Sequence, residues 1–96
     1  MKEFMFVSIG FEKPTPEVMG RWQAWFGSIA DRMVAQHGLA NGREITKEGT
    51  RELPWGMESI TGCIVFRAES LEEAVSIAEK CPIVASNRVY ELRSHG

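Results

Sequence analysis

Ser59-Ile60-Thr61-Gly62-Cys63-Ile64-Val65-Phe66-Arg67-Ala68-Glu69-Ser70-Leu71-Glu72-Glu73 is the stretch on which the reading of the fold turns. Its first part, residues 59–67, is rich in β-branched and aromatic side chains, the composition of a strand. Ile60, Gly62, Ile64 and Phe66 alternate onto one face, and Thr61, Cys63, Val65 and Arg67 onto the other. Gly62, without a side chain, marks a bulge or a close backbone approach. The last part is a capping box, with Ser70 as N-cap and Glu73 three residues on. The helix it opens carries Leu71, Ala74, Val75 and Ala78 as its buried stripe. It stops near Lys80-Cys81, because Pro82 disfavours helix at the residue before it.

Working outward, Asn87-Arg88-Val89-Tyr90-Glu91-Leu92-Arg93 reads as a final strand, and residues 3–11 as a first one. In that first strand Phe4 and Phe6 face one side, and Met5, Val7, Ile9 and Phe11 the other, so both faces call for cover. Pro14 and Pro16 bar its continuation. Thr15 suits an N-cap, Pro16 the first helical position, and Glu17 the positive end of the helix dipole. The spacing of Val18, Trp22, Trp25, Phe26, Ile29, Met33 and Val34 predicts one helix from 16 to about 37, ending at Gly38. Residues 39–58 are the least regular. Asn41-Gly42 and Glu48-Gly49 are turn signals, 43–47 alternates as a short exposed strand, and Leu53-Pro54-Trp55-Gly56-Met57 is a loop carrying an aromatic.

The order is β-α-β-β-α-β. This is the ferredoxin-like α+β arrangement: a four-stranded antiparallel sheet with two helices on one face. Two helices cover one face only, and the first strand is apolar on both faces, the third nearly so. The uncovered face is therefore expected to pack on a second copy, as a homodimer. The competing arrangement folds loop 48–58, with Leu53, Trp55 and Met57, back over the sheet.

The 96 residues leave room for a single domain spanning 1–96. A domain of that size buries only roughly 60–65% of the surface of its unfolded chain, so burial against a partner helps it. Three Trp and five Phe argue for a packed core and against disorder. With 11 basic and 13 acidic residues and no basic run, neither nucleic acid nor an anionic membrane is an expected partner. The opening Met1–Val7 is too short for a signal peptide, and no run reaches a membrane span. Cys63 and Cys81 have no zinc spacing, and free thiols in a reducing cytoplasm are the expectation.

The chain resembles the YCII-related family of dimeric α+β barrels. The resemblance rests on Met1-Lys2-Glu3-Phe4-Met5-Phe6 as the first strand, Pro14-Thr15-Pro16-Glu17 as the helix start, and Trp25-Phe26-Gly27 in mid-helix. Ile60-Thr61-Gly62, the run Ala68–Ala74 and Cys81-Pro82-Ile83 extend it over nearly the whole chain. It implies the barrel fold and dimerisation. Two landmarks are missing. One branch of the family has a D-G-P-[FY] turn where this chain reads Glu52-Leu53-Pro54-Trp55-Gly56-Met57-Glu58. In another branch a His in the first helix and an Asp before the Pro after the second are suspected of catalysis. Here Trp25 or Phe26 and Cys81 hold those places.

The chemical candidates are few. His37, placed by this reading at the end of the first helix, is the choice for a general base, against the plainer role of capping free carbonyls. His95 stands next to the last residue and is expected to be mobile. Asp31 lies about 600° of helix before His37, which rules out a dyad on a regular helix. Cys81, at a helix C-terminus, reads as packing rather than as a nucleophile. Trp22 and Trp55 are the candidates to line a cavity for a flat or apolar ligand, with Glu58 and Arg67 as its polar contacts. No phosphate loop, nucleotide fingerprint or metal motif is present, so no cofactor is expected. Two functions fit: a non-catalytic dimer binding a small apolar or aromatic molecule, or a small cofactor-independent enzyme acting on one. An assembly partner without a ligand is a third.

Overall fold

The computed structural model describes residues 1–93. Along the chain run β1 (Lys2–Ile9), α1 (Pro16–Ser28), β2 (Met33–Gly38), β3 (Arg43–Thr46), β4 (Gly49–Glu52), β5 (Ile60–Ala68), α2 (Leu71–Glu79) and β6 (Ser86–Glu91). Four strands form one sheet in the order β2-β5-β1-β6, with β1 and β5, the two most apolar strands, in the centre. All pairs are antiparallel. Both helices pack on one face of it, giving the ferredoxin-like α+β fold.

Alternation along the strands sorts the two faces. Phe4, Phe6, Ile64 and Phe66 turn towards the helices and meet Trp25 and Ile29 of the first helical segment and Ala74 and Ala78 of α2 in one buried core. Phe4, Phe6 and Phe66 are fully buried, each contributing on the order of 2 kcal/mol. The helices are joined by a hydrogen bond from Trp25 Nε1 to the Ile77 carbonyl, 2.9 Å. Ile77 packs on the core, whereas Leu71 and Val75, expected in the buried stripe, are exposed.

The helix expected over 16–37 is two elements. Thr15 caps α1 as expected, its side chain accepting from the Val18 N–H, but the helix ends at Ser28. Bonds from Ile29 to Phe26, Ala30 to Gly27 and Arg32 to Ile29 tighten the chain into turns. Residues 33–38 then pair with β5 as an edge strand. Met33 and Val34 fit a helical stripe and a strand equally well. Pairing decides for the strand, since β5 would otherwise leave its edge groups unpaired. The stretch expected as the second strand, 43–47, instead forms with β4 a separate two-stranded ribbon that is not part of the four-stranded sheet.

The first strand ends at Ile9 rather than at 11. Gly10 has φ +106, and a Cβ there would stand 2.8 Å from that of Ala85, so only glycine fits. The pairing with β5 steps from Ser8–Gly62 to Ile9–Ile60, so the bulged residue is Thr61, beside the Gly62 that was expected to mark a bulge.

The face away from the helices carries two rows across the sheet. One is Tyr90-Met5-Val65-Ala35, and the next is Arg88-Val7-Cys63-His37. The loop expected as an alternative cover does not lie across them. Its end hydrogen-bonds to Gly10 and Phe11, through Ser59 and Gly56, at one end of the sheet.

Candidate functional site

A cleft of about 690 Å³ opens between α1 and the sheet. Its cause is packing. α2 lies close on β1, β5 and β6, but α1 stands farther off, carried on Trp22, Trp25 and Phe26. Trp22 stacks on Phe26 with ring centroids 5.7 Å apart, and meets Trp25 edge-on at 5.9 Å. Trp25 in turn contacts Phe6 at 5.4 Å. This aromatic cluster fills one end of the space beneath α1. The other end stays open, because the floor there lacks side chains.

That floor comes from the strand register. Ser8, Gly62 and Gly38 stand side by side across β1, β5 and β2, and the row before them is Phe6, Ile64 and Gln36. All six line the cleft. A Cβ added at Gly38 would meet nothing within 4 Å, so two adjacent glycines leave the floor bare. The roof is Val18, Met19, Trp22, Gln23 and Phe26 of α1, and the rim is the segment from Gly10 to Thr15. The walls are mainly apolar, a common lining for sites that take small planar molecules.

Of the residues singled out in the sequence, Trp22 lines the cleft and His37 borders it. His37 is not at a helix end; it lies in β2, where the register pairs it with Cys63. Alternation sends its side chain to the face away from the helices. Trp55 stands outside, its ring 5.2 Å from that of Phe11 on the rim, beside a smaller pocket of about 250 Å³ at the base of the ribbon. Arg67 pairs with Glu3 at 3.6 Å, and neither it nor Glu58 borders the cleft. His95 lies outside the described residues. Ser8, Gln23, Gln36 and Gly38 carry no motif. Gly38 read as a helix stop, and only the strand assignment of 33–38 exposes its part in the floor.

Cys81, read from the sequence as packing rather than as a nucleophile, is buried, with Sγ 3.0 Å from both the Ala78 carbonyl and the Asn87 amide nitrogen. Burial pushes its thiol up to about 11, which disfavours the thiolate. Among the described residues no three His, Cys, Asp or Glu side chains gather as metal ligands, and no helix is long and apolar enough to cross a membrane.

No family model and no curated protein matches the chain. Among solved structures it is similar to 5-chloro-2-hydroxyhydroquinone dehydrochlorinase (TftG) from Burkholderia phenoliruptrix AC1100 in complex with 2,5-dihydroxybenzoquinone. The TM-score is 0.57 at 14% identity, over 98% of this chain and 95% of that one. At that identity the likeness shows the shared fold.

Proposed function

We propose that this chain is a YCII-like domain that binds a small planar molecule in the cleft beneath α1 and works as a homodimer in the cytoplasm. The observation that carries the reading is the glycine floor. Gly38 and Gly62 sit side by side under an aromatic roof, and neither puts a side chain in the way of a flat ring laid on them. The rows Tyr90-Met5-Val65-Ala35 and Arg88-Val7-Cys63-His37, left without a partner by this chain, support the dimer. Trp22 is the binding residue retained from the sequence, with Phe26 beside it.

A second reading, a small enzyme without a cofactor, is favoured by one observation. The similar structure is that of a dehydrochlorinase holding a quinone. In this chain the floor and roof offer hydroxyl and amide groups but no acid–base pair, so binding is the better-supported function. His37 acts as a base only if its side chain is turned back from the opposite face.

Native mass spectrometry of freshly purified protein tests both parts. Twice the chain mass with a retained small molecule is the expected result. A bare monomer would sink the proposal of a ligand-binding dimer. The matching variant is Gly38→Val, whose side chain enters open space on a strand that favours β-branched residues. It is expected to keep its melting temperature and to lower affinity for planar ligands by roughly tenfold or more. Unchanged binding would move the site elsewhere.

A further inference from the structure

We infer that Ser8 and Gln36 select, for the cleft, an uncharged planar ring with hydrogen-bonding groups at two opposite edges. The inference rests on the binding reading above and deepens it. The bare floor of Gly38 and Gly62 is flanked by these two side chains. Ser8 stands at the β1 end of the glycine row, and Gln36 on β2 one row away. Two inter-strand steps and the offset of one row put their backbone positions about 12 Å apart. A planar ring system carrying oxygens on opposite edges, with a hydrogen bond from each, spans about that distance.

Both groups are uncommitted. Among the described residues, the Ser8 hydroxyl and the Gln36 amide take part in none of the side-chain hydrogen bonds, and Thr61 bonds to the backbone carbonyl of Ser8 instead. Gln23 in the roof is a second uncommitted amide. An amide donates and accepts, and so does a hydroxyl, which matches phenol, ketone or carboxamide edges alike.

The charge layout argues for a neutral ligand. Glu12 and Lys13 are both exposed on the rim segment, and floor and roof carry neither an acid nor a base. A carboxylate laid on the glycine floor would lose water without gaining a cation, a cost that a phenol or ketone avoids.

The test uses four probes of one shape: naphthalene, 2-naphthol, 2,6-dihydroxynaphthalene and 2-naphthoate. Affinities are read by NMR titration of the tryptophan indole signals of the full chain. The diol is expected to bind about tenfold tighter than naphthalene, as two modest hydrogen bonds allow, with 2-naphthol between and 2-naphthoate weakest. Gln36→Met and Ser8→Ala should each remove part of the diol's advantage over naphthalene. Equal affinity for diol and naphthalene, a diol advantage that survives both substitutions, or tighter binding of naphthoate would overturn the inference while leaving the cleft as a ligand site. Failure of naphthalene and diol alike, in a chain whose Gly38→Val variant behaves identically, would instead remove the binding reading itself.

Discussion

At the scale of single residues, the two cysteines show how position sets chemistry. Cys81 is 4% exposed, while Cys63 is half-buried in the row with Val7 and His37. Burial raises the Cys81 pKa from an ordinary 9.0 to about 11. In the folded protein Cys81 should therefore stay unmodified by iodoacetamide at pH 8, and react once urea unfolds the chain. Peptide mapping of the adducts reads this directly. The same shift makes a prediction about stability. The folded state holds this proton more tightly than the unfolded chain does. Its contribution is complete below pH 9 and is lost as pH rises from 9 through 11. Wild-type protein should lose stability more steeply across that window than Cys81→Ala does. Parallel curves would mean that the thiol reaches water.

At the scale of elements, the start of α2 is the most legible piece of the chain: Ser70 caps it as read, while the return bond of Glu73 goes to the residue before the cap. Ser70 accepts from the Glu73 N–H at 3.1 Å. Glu73 accepts from the Glu69 N–H at 3.0 Å and from Arg32 at 2.8 Å. The Glu69 N–H first, and the Arg32 guanidinium second, hold its carboxyl below the ordinary 4.5. A lowered carboxylate stabilises above the unfolded value, and that support is lost as pH falls through the folded one. Urea midpoints of wild type and Glu73→Gln should therefore differ at pH 6 and draw together as pH falls below 4.5, whereas Ser70→Ala should cost about 1 kcal/mol throughout. Thr15 and Pro16 were equally readable, because capping is local chemistry. The far end of α1 was not. Met33 and Val34 satisfy both periodicities, and what separates them is the pairing of β2 with β5, a contact between residues about thirty positions apart in the chain. The misplaced boundary also hid the site. With 33–38 read as helix, Gln36 sits on a solvated side and Gly38 is a stop, so the cleft floor has no counterpart in the sequence. Trp22 could be picked out because bulk declares itself, whereas a floor made of missing side chains does not.

At the scale of the whole molecule, the sheet has one face spent on the core and one still to be covered. Val65 is central there, flanked in its row by Met5 and Ala35. Val65→Asp should convert the proposed dimer to a monomer with an unchanged far-ultraviolet spectrum, measured by light scattering on a sizing column. A variant that stays dimeric would place the contact on another surface. The ribbon of β3 and β4 stands apart from both faces. It is held by its own ladder and by the pairs Arg51–Glu44 at 2.7 Å and Arg43–Glu52 at 3.1 Å, and Ile45 on it is 78% exposed. Nothing in the core or the cleft depends on its tip at Lys47-Glu48. That makes the tip a permissive site for engineering. A peptide tag or a small fluorescent domain spliced there would be carried outside the body, leaving the sheet, the helices and the cleft to fold as they do now.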